Sequence, residues 1–241
     1  MLEPVYRAVS NTAVRKDMWV RLPPAAPIPA VLDIDCLASP SDVTLCADPR
    51  ALNDAYVYLL GVYLGDGCLT EARRRVWRLR ISMDRRYPCL IDRCEWAIEQ
   101  VAWRSPGRIP RPGCYELYSS WKHWRCMFPQ HGPGPKHRRR IELQAWQRIL
   151  VDAYPVEMVR GLIHSDGCRF QNRVRRTWAG QTRQYAYPRY MFVNHSTEIR
   201  SLFMDACRAI GVESRPSNRY SISVARRDSV RILDDLVGPK R

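Results

Sequence analysis

Two aspartates occur in matching contexts, Asp66 within GDGC and Asp166 within SDGC. Each follows a hydrophobic run long enough for a buried helix, NDAYVYLLGVYLGDG at 53–67 and PVEMVRGLIHSDG at 155–167. A carboxylate in the last turn of a helix is unfavourable by roughly 0.3–1 kcal/mol, because the carbonyl end of the helix dipole is already negative. One Asp-Gly pair would indicate only the end of a helix. Two in matched positions predict a chemical role, since converging carboxylates repel unless a cation lies between them.

The flanking residues predict where both helices begin and end. Asn53 is a suitable N-cap for the first helix, and Pro155 suits the first position of the second, with Glu157 in its first turn. Gly67 and Gly167 occupy the place of a left-handed residue after a helix. We therefore expect both aspartates in the last helical turn.

Small residues recur four positions apart in both runs, Gly61 and Gly65 in the first and Gly161 and Ser165 in the second. This spacing leaves one face of each helix without bulky side chains. Such faces allow two helices to approach more closely than the usual interaxial distance of about 8–10 Å. If the helices pair on these faces, the two aspartates converge.

The segments LLGVYLGDG (59–67) and VRGLIHSDG (159–167) resemble the two LAGLIDADG motifs of single-chain homing endonucleases. The resemblance implies that Asp66 and Asp166 are the metal-binding acids. It also implies that Gly65 and Ser165 form the contact between the helices, with main-chain carbonyls that approach the metal.

The sequence departs from the family name at the sixth motif position, where Leu64 and His164 replace aspartate. This position is variable in the family, so the departure does not imply loss of activity. We expect His164 to be a packed or capping histidine rather than a ligand.

The composition favours a polyanionic partner. The formal net charge is +15 over 241 residues, with a sequence pI near 9.8. Charge alone does not separate DNA from RNA or from an acidic membrane. The sequence has no apolar stretch of about 18 residues and no signal-peptide core, so we expect a cytoplasmic, DNA-associated protein with no membrane association.

Cysteine spacing argues against a disulfide scaffold and a zinc ribbon. The nine cysteines include no CxxC pair. A zinc site built from Cys114, Cys126, His131 and His137 would match no usual ligand spacing. Free thiols are the expected state.

Hydrophobic periodicity predicts further elements in each half. After the first motif come a strand at 76–84, a helix at 88–102, a strand at 114–120 and a short helix around 121–128. After the second motif come strands at 168–176 and 189–195, a helix at 198–211 ended by Gly211, a strand at 219–225 and a helix at 228–238. Each half is interpreted as motif helix, two strands, helix, two strands, helix.

This order matches the αββαββα repeat of the LAGLIDADG family. The resemblance implies an α+β fold of two pseudo-symmetric repeats that form a saddle of antiparallel sheets, with the motif helices packed at the centre. We divide the chain into an N-terminal extension at 1–50, a first repeat at 51–140, a connector at 141–154 and a second repeat at 155–241. The extension, extended and Pro/Ala-rich at 21–31, would be a domain remnant, an arm on DNA or a linker. The connector is predicted to be helical, with Trp146, Ile149 and Leu150 packed inward.

Arginine and glutamine on strand faces are candidates for DNA contact, because they form paired hydrogen bonds with guanine and adenine edges. Alternation alone is expected of any half-buried sheet. The candidates for the concave surface are Arg78, Arg80, Arg169, Gln171, Arg173 and Arg175. Arg175 and Arg176, near a predicted hairpin tip, would equally bind phosphates.

Lysine is rare in this chain, with four lysines among 39 basic residues. Two of them, Lys136 and Lys240, end a repeated tripeptide GPK. In the family each repeat commonly supplies a basic residue near the scissile phosphate, and the resemblance implies that these lysines have that role. A basic surface loop and a frayed tail are the alternatives. Further basic candidates in the first repeat are Arg138, Arg139 and Arg140.

The resemblance implies a monomeric, site-specific double-stranded DNA endonuclease that uses Mg²⁺ at Asp66 and Asp166 for phosphodiester hydrolysis. A DNA-binding transcription regulator without catalysis on the same scaffold is the main alternative. An RNA maturase is a third. The presence of both acids and the absence of a clear helix-turn-helix pattern favour the nuclease.

Overall fold

The same order of helices and strands occurs in both halves of the chain. The computed structural model describes residues 53–238 and residue 240, so the predicted N-terminal extension lies outside the described residues. The first half contains α1 (Asp54–Asp66), β1 (Gly67–Glu71), β2 (Trp77–Asp84), α2 (Pro88–Ala102), β3 (Gly107–Arg111), β4 (Cys114–Trp121) and α3 (Trp124–Met127). After the connecting helix α4 (Ala145–Ala153), the second half contains α5 (Pro155–Asp166), β5 (Gly167–Trp178), β6 (Gln181–Val193), α6 (Thr197–Ala209), β7 (Arg215–Asn218), β8 (Ser221–Val224) and α7 (Arg227–Leu236). The predicted α+β order αββαββα is therefore present twice.

Each half forms one four-stranded antiparallel sheet. The strand orders are β1-β2-β4-β3 and β5-β6-β8-β7, so the two sheets have the same topology. Strands β1, β3 and β7 were not located from the sequence, because each has only four or five residues and little apolar alternation. Strand β5 is only slightly longer than predicted, whereas β6 begins at Gln181 rather than at 189 and ends at Val193 rather than at 195.

Helix α1 lies at the centre of the core. Every residue from Ala55 to Leu64 is buried, which explains why this helix has no polar face in the sequence. It packs along α5 on the predicted small faces. A Cβ atom added to Gly61 would lie 3.0 Å from Gly161 Cα, and one added to Gly161 would lie 2.3 Å from the Tyr58 carbonyl oxygen. The predicted close approach of the two helices is confirmed.

Both helices start and end where predicted, with the aspartates as their last residues, but the conformation of the glycines that follow is not the predicted one. Asn53 Oδ1 accepts a hydrogen bond from the Ala55 amide at 3.0 Å, and Pro155 is the first residue of α5. The prediction that Gly67 and Gly167 are left-handed is wrong, because their φ/ψ angles of −86°/152° and −100°/161° are extended. In each repeat the chain passes directly from the motif helix into the following strand. Glycine is required there for space, since a Cβ on Gly67 would lie 2.6 Å from Tyr63 Cα.

The connector is helical, as predicted, with one residue misplaced. Trp146 and Leu150 are buried, whereas Ile149 is 40% exposed and does not pack into the core. Ile149 lies on the solvent side of a single amphipathic helix, where an isolated apolar residue is common. Within the described part of the chain, no helix is both long and apolar enough to cross a lipid bilayer.

Candidate metal and nucleic-acid site

The paired helices bring the two aspartates to one place. Both α1 and α5 end at their aspartate, and a Cβ added to Gly65 would lie 3.1 Å from Asp166 Oδ2. The Ser165 side chain lies against the same glycine, and its hydroxyl donates to the carbonyl oxygens of Gly161 and Leu162 at 3.1 and 3.0 Å. The small residues thus allow the carboxylate of one repeat to reach the motif of the other.

Two cavities flank the helix ends, and each is built from both repeats. The larger cavity, of about 550 Å³, is lined by Asp166 from the second repeat and Lys136 from the first. The smaller cavity, of about 270 Å³, is lined by Asp66 from the first repeat and Lys240 from the second. We call this the crossed arrangement, because each cavity combines the acid of one repeat with the lysine of the other.

The electrostatics of the four groups agree with the crossed arrangement. Burial and the neighbouring Asp166 raise the pKa of Asp66 to about 6, against an opposing effect of Lys240 and then Lys136. Burial also raises the pKa of Asp166, opposed by a hydrogen bond from Asn194 and then by the charge of Lys136. A bound cation would offset the unfavourable effect of the Asp166 charge on Asp66.

The ammonium groups of Lys136 and Lys240 contact main-chain carbonyl groups at the ends of the motif helices. Lys136 Nζ donates to the carbonyl oxygens of Gly65 at 3.0 Å and Gly67 at 2.6 Å, and it lies 4.9 Å from the Tyr63 ring centre. Burial lowers the pKa of Lys136 to about 8, opposed by Asp166 and Asp66. Lys240 Nζ donates to the Ser165 carbonyl oxygen at 3.1 Å. Burial lowers the pKa of Lys240 as well, opposed first by Asp66.

Asn194 was missed by the sequence analysis. It follows β6, and its Nδ2 donates to Asp166 Oδ2 at 2.6 Å, while its Oδ1 accepts from the Ser196 amide at 2.8 Å. The asparagine therefore fixes one carboxylate orientation. Its only sequence signal is a polar residue directly after a hydrophobic strand.

The other basic candidates of the first repeat lie next to this site. Arg138 is exposed in the 3₁₀ turn Lys136–Arg138, and Arg140 is exposed and paired with Glu142 at 2.5 Å. Arg139 turns inward and donates to the Gly134 carbonyl oxygen at 2.7 Å, so it stabilises the loop that carries Lys136.

The sheet register separates the arginine candidates into two groups. In the first sheet the pair of Leu69 with Leu79 is buried. The alternate pairs, which contain Arg78 and Arg80, therefore point to the opposite face of the sheet, which we call the open face. Arg80 is bound there to Glu116 at 2.6 Å, and Arg78 lies over the Tyr118 ring at 5.4 Å. These two residues lie on the sheet face where DNA contact was predicted.

The prediction that the second-repeat candidates share this open face is wrong. Directly opposed residues in antiparallel strands point to the same side, and Arg169 is opposite Tyr190, which is buried under the helices. Arg169 accordingly pairs with Asp234 of α7 at 2.6 Å. By alternation, Gln171, Arg173 and Arg175 share its side. The error arose because β5 has no buried alternation to mark its sides.

The open side of β5 and β6 carries a different set of residues. It is defined by the alternate register pairs, which are Cys168 with Met191, Phe170 with Arg189, Asn172 with Tyr187, Val174 with Tyr185, Arg176 with Arg183 and Trp178 with Gln181. This side therefore combines aromatic rings with arginines, the residue types that contact nucleic acid by stacking and by phosphate binding.

The remaining sequence candidates are structural. His164 is buried, and its Nδ1 lies 3.1 Å from the Tyr58 hydroxyl, so it is a packed histidine as predicted. Burial and the charge of Arg160 hold its pKa well below the usual value. Among the described residues, no three His, Cys, Asp or Glu side chains are grouped to hold a metal ion, including the four residues weighed as a zinc site.

The chain was compared with known proteins. No family model matches the sequence, and no curated protein matches it. Similar solved structures include mesophilic variants of the homing endonuclease I-DmoI, with 13% identity, a TM-score of 0.48, and coverage of 78% of this chain and 97% of that chain. The homing endonuclease I-WcaI bound to its DNA recognition sequence has 11% identity, a TM-score of 0.48 and coverage of 78% and 83%. The N-terminal LAGLIDADG domain of DUF199/WhiA has 10% identity, a TM-score of 0.44 and coverage of 87% and 96%.

Proposed function

We propose that this chain is a site-specific double-stranded DNA endonuclease that hydrolyses one phosphodiester bond in each strand. The observation that carries the proposal is the crossed arrangement, in which two cavities each hold one aspartate and one lysine. Because the two repeats are similar, the two sites would each cut one of the two antiparallel DNA strands. A single chain would therefore be sufficient to cut both strands.

The donor groups suit a divalent cation. The carboxylates of Asp66 and Asp166 are oxygen donors, which Mg²⁺ prefers. The carbonyl oxygens of Gly65 and Ser165 accept hydrogen bonds from Lys136 and Lys240 in this structure, so they would join the metal ligands only if the ammonium groups moved. Burial raises the pKa values of both acids, and the charge of Asp166 raises that of Asp66 further, so a bound cation would stabilise the ionised carboxylates. When bound, the metal would supply an activated water and stabilise the leaving oxygen.

The protein groups have separate parts in the reaction. Lys136 and Lys240 place ammonium groups beside the acids, where they stabilise the negative charge that develops on the phosphate oxygens. Asn194 orients Asp166 through its amide. Arg78, and Arg80 beside it, contact the DNA backbone or base edges from the open face of the first sheet.

The test is a cleavage selection from a random-sequence duplex library in Mg²⁺. The wild-type chain is compared with the Asp66→Asn/Asp166→Asn variant, and both are also assayed for binding in EDTA. We expect cut products that enrich one site with the wild type only, and equal binding of that site by both proteins.

Other outcomes select other functions. If both proteins enrich the same bound site and neither cuts it, the chain is a DNA-binding regulator and the nuclease proposal fails. If the variant cuts as well as the wild type, the aspartates are not catalytic. If structured RNA displaces DNA from the wild type, the maturase alternative is favoured.

A further inference from the structure

The hairpin of β5 and β6 projects beyond its sheet, whereas the corresponding hairpin of the first repeat does not. All of β2 pairs with β4, but only Tyr190–Val193 of β6 pairs with β8. Strands β5 and β6 have 12 and 13 residues, against five and eight in β1 and β2. We call residues 170–189, the two-stranded part that lacks further strand partners, the arm.

Residues 175–186 of the arm are exposed on both sides, and the arm has no carboxylate. The arm contains five arginines and no Asp or Glu. Trp178 at its end is 88% exposed, and Phe170 and Tyr185 are 37% and 48% exposed. An isolated two-stranded ribbon gains little stability from its own packing. Its exposed rings and uncompensated positive charge are complementary to a polyanion with stackable rings.

The end of the arm is a tight turn. Trp178 is opposite Gln181, and the two residues between them, Ala179 and Gly180, have positive φ angles of 47° and 77°. Positive φ at both positions is characteristic of a tight type I′ turn, which fixes the hairpin register. Trp178 is therefore presented at a defined position rather than on a loose loop.

We propose that the arm binds duplex DNA beyond the central site on one side only, with Arg176 and Arg183 on phosphates and the Trp178 indole stacked against a nucleotide. The inference rests on the proposed function for the position of the duplex. From Phe170 to Trp178 the arm extends roughly 26 Å at about 3.3 Å per residue, which is the length of about seven or eight base-pair steps. The contacts on DNA would be asymmetric, because the first repeat has no equivalent arm.

The test measures binding to a fluorescent duplex in EDTA, so it does not require cleavage. The full-length wild type is compared with Trp178→Ala and with Arg176→Ala/Arg183→Ala. Loss of the stacked ring should weaken binding roughly tenfold. Loss of the two arginines should weaken it by about tenfold or more and reduce the slope of log affinity against log salt by about two.

The chain offers matched controls for both changes. Arg173→Ala/Arg175→Ala removes the same charge from the opposite side of the same hairpin, and Trp103→Ala removes an indole that is 58% exposed on another part of the surface. Both controls should bind within about threefold of the wild type. Equal losses for the two arginine pairs would overturn the assignment to the open side.

Footprinting completes the test. On the selected site, hydroxyl-radical protection should extend further on one side of the centre, and replacing residues 173–186 by an Asn-Gly turn between the register partners Asn172 and Tyr187 should remove that extra protection. A symmetric footprint, or wild-type affinity of Trp178→Ala, overturns the arm proposal while leaving the nuclease proposal intact. Arm-dependent binding without cleavage would support the arm proposal and overturn the nuclease proposal. Preferential binding of RNA through the arm would also overturn the arm proposal.

Discussion

The ammonium group of Lys240 donates a hydrogen bond to the main-chain carbonyl of Ser165 at 3.1 Å, and the contact is repeated between Lys136 and Gly65 at 3.0 Å. Each lysine thus binds the helix end of its own repeat while it shares a cavity with the acid of the other. Neither cavity has both groups without both repeats.

Lys136→Met and Lys240→Met should each slow cleavage by roughly 10²–10³-fold, because a fixed cation beside the phosphate would be lost. The affinity for DNA should change by less than about threefold. Single-turnover cleavage and binding in EDTA measure the two effects, and Lys122→Met, outside both cavities, is the control. Unchanged single-turnover rates for both variants would exclude the lysines from catalysis.

Asn194→Ala should slow cleavage of one strand roughly 10–100-fold, since it frees the Asp166 carboxylate from its 2.6 Å hydrogen bond. The other strand, served by Asp66, is the internal control. On a supercoiled plasmid that carries the selected site, nicked circles should accumulate before linear product. Equal slowing of both strands would contradict a positioning role confined to one cavity.

Gly161→Ala should destabilise the fold by about 3 kcal/mol or more, because its Cβ would lie 2.3 Å from a main-chain oxygen that cannot move independently. Gly132→Ala is the matched control, since its Cβ would approach only the Arg139 side chain, at 3.4 Å. We expect that control to remain within about 0.5 kcal/mol of the wild type. Urea unfolding measures both free energies, and similar values would disprove close pairing of the motif helices.

Asp234→Asn should destabilise the second repeat by about 1–2 kcal/mol at neutral pH, because Asp234 accepts hydrogen bonds from Arg169 at 2.6 and 2.8 Å and from Tyr190 at 2.7 Å. The bond with Arg169 lowers the pKa of Asp234 in the folded protein. Its stabilisation is therefore complete above the unfolded pKa of about 3.9 and is lost as the pH falls through the lower folded pKa.

The difference in stability between the wild type and Asp234→Asn should accordingly shrink below about pH 4. The exposed pair of Arg208 with Asp205 provides the control, and Asp205→Asn should change stability by less than about 0.5 kcal/mol. Thermal unfolding across this pH range measures the stability of both variants relative to the wild type. A difference that persists in acid would show that Asp234 acts through packing rather than charge.

Local sequence patterns determined the helices and the central motif. Two apolar runs ended by Asp-Gly, with small residues four apart, predicted α1, α5 and faces suited to close contact, because helix formation and the side chains on a helix face depend on nearby residues. The longer helices α2, α6 and α7 followed from apolar periodicity in the same way. Strands β1 and β7 have few residues and little apolar alternation, whereas the equally short β8 lies within the strand predicted at 219–225.

Only the tertiary structure decided which groups meet. Lys136 and Asp166 belong to different repeats, and no spacing along the chain indicates that they share a cavity. Likewise, the sequence places Arg169 and Arg173 on one side of a strand, but strand pairing and the position of α7 decide that this side is covered at Arg169 and exposed at Arg173. The residues of a strand alternate between two sides, and in β5 only Gly167 is buried. Which side the helices cover therefore depends on long-range contacts that a local pattern does not contain.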